Sequence, residues 1–296
     1  MRLAKTKSVI AAVGLSLSLA ACGGDDGGSG GGEITVAENP EFDSGTTMAK
    51  IAEAGTVTVG TKFDQPGFGL LGLDDTPEGF DVEVAKIIAG AMGIAAEDIK
   101  WEEATSEVRE QVIQDDEVDY VVATYTINDE RKQLITFAGP YYVAGQQLMV
   151  ASDNDTITGP DDLQENPDAK VCSVTGSTPA EGIKEYLANE DQLVLFDVYE
   201  KCADALRTGQ VEVVTTDNVI LLGFVGESDG EFKLVGERFT EEPYGIGIKK
   251  GDVEFCEFIN ETLQDNEEAY NEAWARTAGE VEGTEEPTLP EPDECA

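Results

Sequence analysis

The 296-residue chain contains no histidine, and it has only 19 basic residues against 61 acidic ones. Without histidine, the chain lacks the side chain that most often serves as a general base or as a zinc ligand. Nucleophiles activated by histidine are excluded, whereas carboxylate-pair chemistry remains possible because acidic residues are abundant. The formal net charge of −42 repels nucleic acid and anionic lipid. We therefore expect no metal, no cofactor and no nucleic-acid partner.

The apolar stretch near the N-terminus, residues 9–20, is too short to span a bilayer stably. It follows three basic residues and leads through small residues to Cys22, so residues 1–21 resemble a bacterial lipoprotein signal peptide. In such proteins the cysteine is lipidated and becomes the mature N-terminus, at the outer face of the cytoplasmic membrane. An ordinary secretory signal with an incidental cysteine is the alternative. Both interpretations predict a protein that works outside the cytoplasm.

Four further cysteines, Cys172, Cys202, Cys256 and Cys295, fit two disulfides in an oxidising compartment. Of the three possible pairings we favour Cys172–Cys202 and Cys256–Cys295, because each pair falls within one predicted structural unit. Each loop would contribute about 3–4 kcal/mol to stability in the chain-entropy description. The alternative, a four-cysteine zinc site, lacks any Cys-x-x-Cys spacing.

Composition and periodicity divide the chain into a Gly-rich tether (residues 22–47), an α/β body and an irregular acidic tail (residues 280–296). In the body, two successive sets of alternating strands and helices suggest two lobes with a cleft between them. Strands are predicted at 57–59, 99–101, 120–123, 148–150, 170–172, 193–196 and 211–214, and helices at 80–91, 107–114, 180–187, 199–208 and around 255–263.

Residues 67–72 match the dinucleotide-binding pattern G-x-G-x-x-G. That pattern needs a helix that opens at its last glycines and presents its N-terminus to phosphate. Turn-forming residues follow here instead. We therefore interpret the match as accidental.

The segment from Ala123 to Arg131 is more specific. A predicted strand ends at Thr124, and hydroxyls, free amides and an arginine follow within about one turn. This set can bind one carboxylate through several donors. With the run Phe137–Tyr142, it resembles the pattern of family 3 extracellular solute-binding proteins, which deliver polar amino acids to ABC importers. The resemblance covers residues 50–276.

The resemblance implies a type II periplasmic-binding-protein-like α/β fold, in which each of two lobes is a sheet flanked by helices. Two hinge crossings would fall near 142–147 and 241–244. Lobe 1 would comprise residues 48–145 and 242–279, and lobe 2 residues 146–241, with the tail tied back by the second disulfide. The implied partners are an amino acid, captured by closure of the lobes, and an ABC permease. We expect a monomer.

The resemblance also implies roles for individual residues. Arg131, helped by Thr126, would bind the α-carboxylate of the ligand, and the Thr124 carbonyl and Asp217 would face its ammonium group. A second contact to the carboxylate would come from a helix N-terminus in lobe 2. The residues at that helix start are Gly176, Ser177 and Thr178.

The side-chain pocket decides the ligand. Lys62 stands where glutamine binders of this family have an acid, and Ser106 and Arg109 resemble a pair found in acidic amino-acid binders. Together with Arg131, these cations match a ligand with two carboxylates, which is glutamate or aspartate. A glutamine or asparagine binder remains the alternative, as does a sensor that signals to a membrane partner. The fold is also similar to that of a few dehydratases, but the absence of histidine argues against an enzyme.

Four of these residues have alternative interpretations in which they do not bind ligand. Lys62 is alternatively an exposed loop lysine, and Asp217 a helix cap. The two arginines are alternatively partners of nearby acids: Arg109 of Glu110 or Asp115, and Arg131 of Asp129 or Glu130.

Overall fold

The computed structural model describes residues 34–296. The signal peptide, Cys22 and the first part of the predicted tether lie outside these residues. The helices are α1 (Thr47–Ala54), α2 (Phe80–Ala91), α3 (Arg109–Gln114), α4 (Asp129–Lys132), α5 (Asp162–Glu165), α6 (Thr178–Gly182), α7 (Tyr199–Arg207), α8 (Asn218–Glu227), α9 (Val253–Asp265) and α10 (Glu267–Ala275). The strands are β1 (Val57–Thr61), β2 (Asp64–Gln65), β3 (Gly69–Leu71), β4 (Pro77–Glu78), β5 (Ile99–Glu103), β6 (Tyr120–Val121), β7 (Thr136–Ala144), β8 (Gln146–Ala151), β9 (Val171–Val174), β10 (Leu193–Phe196), β11 (Val213–Asp217), β12 (Phe232–Val235) and β13 (Glu242–Ile248).

Two five-stranded mixed sheets define two lobes. The sheet of lobe 1 has the order β5-β1-β6-β13-β7, and the sheet of lobe 2 has the order β10-β9-β11-β8-β12. In both sheets the first three strands are mutually parallel, and each of the last two pairs antiparallel with the strand before it in the order. The chain passes to lobe 2 between β7 and β8 and returns between β12 and β13.

Helix α2 illustrates how the sequence pattern produces the core of lobe 1. Phe80, Val84, Ile87 and Ile88 lie on one face at helical spacing, and all four are buried. Helix α9 packs in the same way after Asp252, whose side chain accepts a hydrogen bond from the Phe255 amide. Both predicted helices are confirmed, and in each the apolar face is buried.

The N-terminal part of the described chain is packed against lobe 1. The Ala37 amide donates to the Gly90 carbonyl at 2.8 Å, and the Phe42 ring meets the Phe258 ring edge-on at 5.5 Å. Residues 34–46, which the sequence analysis assigned to the flexible tether, therefore lie on the surface of lobe 1.

The acidic tail after residue 280 contains no helix or strand and returns to lobe 1. The Asp293 amide donates to the Gly139 carbonyl at 2.7 Å, and Thr136 Oγ1 donates to the carbonyl of Ala296 at 2.9 Å. The Cys256–Cys295 disulfide joins this tail to α9, and the Cys172–Cys202 disulfide joins β9 to α7. Among the described residues, no helix is long and apolar enough to cross a membrane.

The small antiparallel sheet β2-β3-β4 projects from lobe 1 towards lobe 2. The Gly67–Gly72 run forms part of the turn between β2 and β3, the strand β3 and the residue that follows it. Asp64 Oδ2 accepts a hydrogen bond from the Tyr199 amide at 2.6 Å, at the N-terminus of α7. Lobe 1 thus supplies a cap for a helix of lobe 2 whose own N-cap residue, Val198, forms no side-chain cap.

Candidate ligand-binding site

A narrow cavity of about 10 Å³ lies between the lobes, where the ends of β6 and β11 face each other. It holds about one water molecule, so an amino acid can enter only when the lobes separate. Its walls are mainly polar. Lobe 1 contributes Ser106, Arg109, Thr124 and Thr126, and lobe 2 contributes Ser177, Thr178, Pro179, Tyr199, Thr216, Asp217 and Ile220.

The wall from lobe 1 is built on the turn after β6. Thr124 has a left-handed backbone conformation, with φ of 44°, which few residues other than glycine adopt. Arg109, the first residue of α3, donates from Nη1 to the Ala123 carbonyl at 2.8 Å, and its guanidinium stacks 3.9 Å from the centre of the Tyr125 ring. The Arg109 guanidinium is thereby held against this turn. Among the described residues Arg109 forms no ion pair, so its alternative role as a partner of Glu110 or Asp115 is wrong.

Lys62 lies behind Ser106 and is buried, so its interpretation as an exposed loop lysine is wrong. Its Nζ donates to Ser106 Oγ at 2.9 Å. Burial, together with the nearby Arg109 charge, lowers the pKa of Lys62 to about 7. The ammonium group therefore lacks a counter-charge sufficient to keep it fully protonated at neutral pH.

Arg131 binds the backbone of both lobes. Nη1 donates to the Thr126 carbonyl at 2.7 Å and Nη2 to the Gly176 carbonyl of lobe 2 at 3.0 Å, while Nε lies 3.1 Å from Glu110 Oε1. Asp129 and Glu130 were the expected alternative partners of Arg131, but the acid that pairs with it is Glu110. Burial, with the Arg109 charge, lowers the pKa of Arg131 to about 10.

The loop before α6 closes the cavity from lobe 2. Ser177 is the N-cap of α6, and its Oγ accepts from the Ala180 amide at 3.1 Å. Thr178 Oγ1 lies 3.3 Å from Thr126 Oγ1 of lobe 1. A Cβ atom on Gly176 would lie 2.8 Å from the Ser106 carbonyl oxygen, so glycine is required here for close approach of the lobes.

Asp217 ends β11 and is buried. Its Oδ2 accepts from the Tyr244 hydroxyl of lobe 1 at 2.6 Å, and it forms no side-chain cap with α8. Burial, reinforced by the Glu242 charge, raises the pKa of Asp217 to about 7. A cation beside this carboxylate would reverse that shift.

Three buried polar atoms without a hydrogen-bond partner belong to residues of this cavity: Arg109 Nε, Thr216 Oγ1 and Asp217 Oδ1. Buried polar atoms are rarely left unpaired in proteins, because each costs the free energy of its lost hydration. The Arg109 guanidinium, a positively charged donor, and the Asp217 carboxylate, a negatively charged acceptor, thus line the same cavity. A zwitterionic ligand could pair with both.

Seven of the ten residues predicted to bind ligand line the cavity: Ser106, Arg109, Thr124, Thr126, Ser177, Thr178 and Asp217. Lys62, Arg131 and Gly176 do not line it, but each lies directly behind a wall residue or the loop that bears it. Sequence reasoning missed Pro179, Tyr199, Thr216 and Ile220. Thr216 had a usable signal, since it precedes Asp217 at the end of the strand.

A larger groove, about 530 Å³, runs along another part of the lobe interface. It is formed by the β2–β4 sheet, helix α8 and the chain after α10, and none of the predicted binding residues lines it. The small cavity is the better candidate site, because the unpartnered charged atoms lie there.

Residues 57–274 match the family of bacterial extracellular solute-binding proteins, family 3. This match spans most of the chain, and the chain therefore belongs to that family. The resemblance recognised from the Ala123–Arg131 segment is confirmed.

Known proteins similar to this chain agree with the assignment. The glutamate-binding protein GluB of Corynebacterium efficiens is 40% identical over 263 residues, which cover 86% of this chain and 83% of that protein. The ABC transporter glutamine-binding protein GlnH of Bacillus subtilis is 36% identical, covering 83% of this chain and 86% of that protein. A solved ancestral arginine-binding protein bound to glutamine superposes with a TM-score of 0.70 at 33% identity, covering 76% and 99% of the two chains. The predicted two-lobed α/β fold class is confirmed.

Proposed function

We propose that this protein is the amino-acid-binding component of an ABC importer and that it captures glutamate by closing its two lobes. The observation that carries the proposal is the interlobe cavity at which unpartnered atoms of Arg109 and Asp217 meet. The similarity to a glutamate-binding protein supports the choice of ligand.

The charges around the cavity suggest how glutamate would be held. Its ammonium group would pair with Asp217 and with the Thr124 carbonyl. The α-carboxylate would bind Arg131, taking the place of the Gly176 carbonyl as the acceptor for Nη2, with Thr126 beside it. The side-chain carboxylate would bind Arg109 and Ser106, with Lys62 as the countercharge behind Ser106.

The test is calorimetric titration of the purified protein with glutamate, aspartate, glutamine and asparagine at two salt concentrations. We expect micromolar or tighter binding of glutamate and much weaker binding of glutamine. A preference for an amide would overturn the side-chain assignment, and no binding of any of the four would overturn the function.

Arg131→Ala should abolish glutamate binding, because it removes the planar donor pair for one carboxylate. Lys132→Ala is the matched control: Lys132 is the next residue of α4 and pairs at the surface with Asp293, so its loss should leave affinity within about twofold. Micromolar affinity in Arg131→Ala would contradict the carboxylate assignment.

The further parts of the proposal concern how the protein works in the cell. Lobe 1 (48–145 and 242–279) and lobe 2 (146–241) would move about the two crossings, and closed protein would dock on a permease. Lipidation of Cys22 would anchor it outside the cytoplasmic membrane, which an intact-mass measurement of membrane-extracted protein would detect. We propose binding without chemical conversion; glutamate recovered unaltered after incubation is the expected result.

A further inference from the structure

A buried carboxylate lies directly behind the cavity wall, on the second residue of α2. Asp81 is fully buried, and among the described residues it forms no ion pair. Its Oδ2 accepts a hydrogen bond from the Thr124 amide at 2.6 Å, and its Oδ1 accepts one from the Tyr141 hydroxyl at 2.6 Å. Both distances lie at the short end of the range for hydrogen bonds in proteins.

The Thr124 end of this contact is conformationally unusual. Thr124 takes the left-handed backbone conformation, which costs free energy in a residue with a Cβ atom and persists only where the surroundings enforce it. Its amide is bound by Asp81 and its hydroxyl donates to Gln65 Oε1 at 2.9 Å. The chain then continues to Thr126, which bridges to Tyr244.

Several groups of the site depend on the direction of this turn. The Ala123 carbonyl accepts from Arg109 Nη1, and the Thr126 carbonyl accepts from Arg131 Nη1. A change in the backbone at Thr124 would therefore move both carbonyl groups that bind the arginine guanidiniums, as well as the cavity wall.

We propose that Asp81 is a positioning residue for ligand binding: its carboxylate holds Thr124 in the left-handed conformation and so aims the turn 123–126, with Arg109, at the ligand. The proposal rests on the proposed function, since the affected property is ligand affinity. Asp81 itself touches no cavity surface.

Burying the Asp81 carboxylate costs free energy, which a side chain that only filled space would not require. Burial raises the pKa of Asp81 to about 7, and the bonds from Tyr141 and Thr124 oppose that rise. An uncharged side chain of the same shape would avoid this cost. The carboxylate is distinguished from such a side chain by its ability to accept strong bonds from two donors at once.

The test compares Asp81→Ala, Asp81→Asn and Tyr141→Phe. Tyr141→Phe is the matched control, because it removes the other bond to Asp81 and leaves the Thr124 amide bonded. Two properties are measured: glutamate affinity by calorimetry, and the chemical shift and hydrogen exchange of the Thr124 amide without ligand. A merely structural role of Asp81 would not act selectively on that amide.

In the wild type and in Tyr141→Phe we expect a protected, downfield-shifted Thr124 amide and glutamate affinities within about threefold of each other. In Asp81→Ala the amide should lose protection and affinity should fall at least tenfold. Asp81→Asn, whose amide oxygen still accepts one bond, should give an intermediate loss and keeps the test available if Asp81→Ala does not fold.

A second substitution that restores affinity is the decisive part of the test. Thr124→Gly placed in Asp81→Asn should recover part of the lost affinity, because glycine adopts the left-handed conformation without the cost. A Thr124 amide unchanged in Asp81→Ala, or full affinity despite its loss of protection, would overturn the proposal. Failure of the wild type to bind any of the four amino acids would overturn the proposed function instead, and the amide measurement would still decide whether Asp81 holds the turn.

Discussion

Lys62 is the side chain that best discriminates between an acidic amino acid, such as glutamate, and the corresponding amide, glutamine. Its ammonium group is buried beside Arg109, and among the described residues it donates only to the neutral Ser106 hydroxyl, which explains the pKa of about 7. A ligand carboxylate near Ser106 would stabilise the charged form of Lys62, whereas a ligand amide would not.

We therefore predict that glutamate binding at pH 8 takes up protons and that glutamine binding does not. At this pH the Lys62 amine is mostly neutral before binding, since its pKa lies near 7. The measurement is calorimetry in two buffers with different ionisation enthalpies. In Lys62→Met the uptake should disappear; uptake that persists there would assign the proton to another group.

Helix α8 shows how an element away from the ligand can control affinity. A Cβ atom on Gly223 would lie 2.5 Å from the Pro66 carbonyl oxygen of lobe 1, in the same hairpin that caps α7. Gly226, about one turn further along α8, is exposed and would meet only a tail side chain at 3.8 Å. The two glycines thus share a helix but differ in their distance from the other lobe.

Gly223→Ala and Gly226→Ala should each increase the stability of α8, by about 1 kcal/mol, because alanine is a better helix former than glycine. Only Gly223→Ala should obstruct closure, so we expect its glutamate affinity to fall at least tenfold while Gly226→Ala binds normally. Thermal unfolding and calorimetry on both variants test this. Equal affinities would mean that this contact is not needed in the closed, ligand-bound form.

Closure of the molecule brings two strongly acidic lobes together. Removal of residues 1–21 would leave 16 basic residues against 61 acidic ones, a net charge of −45. At the centre of the interface, Asp217 is buried near Glu242 and has one unpartnered oxygen. Closing without a cation at this position is therefore disfavoured whenever Asp217 is ionised, which makes the ligand's ammonium group a requirement for stable closure.

This arrangement predicts a pH dependence of closure without ligand. The pKa of Asp217 is about 7 in the closed arrangement and ordinary when solvated, so the closed form binds more protons. Closure should become more favourable as the pH falls from 7 to 5, by up to roughly 50-fold in the closed-to-open ratio.

Small-angle scattering at fixed salt measures this effect as a smaller radius of gyration at pH 5 than at pH 7.5. Asp217→Asn should remove most of the difference, since its amide does not titrate. A radius that is independent of pH in the wild type would contradict the linkage between Asp217 and closure.

Local patterns predicted much of the fold, and the misses have physical causes. Helices α2 and α9 were predictable because each has one apolar face. Helix α8 has apolar residues on nearly all sides and so lacks a helical period, and β7 is interrupted by Gly139 and Pro140. The predicted helix at 180–187 is a short α6 followed by a 3₁₀ turn, with Gly182 at the junction.

Binding residues could be identified from the sequence where they lie together in one contiguous motif. The run from Ala123 to Arg131 was identified from neighbouring residue types, and Asp217 from the resemblance to the family. The partners of these groups were not: Glu110 pairs with Arg131, Tyr244 with Asp217, and Asp81 with Thr124. Each partner belongs to a different element, and residue types alone do not reveal which elements meet.

Composition, the strand–helix alternation and one contiguous motif were thus sufficient for the fold class and the family, because these are properties of short stretches of chain. The contacts that close the cleft depend on the packing of two lobes. Asp64 and Tyr199 are 135 residues apart, and only the folded molecule places that carboxylate at the start of α7. The burial that moves the pKa values of Lys62, Asp81 and Asp217 towards 7 likewise has no signal in the sequence, since desolvation is a property of the surroundings.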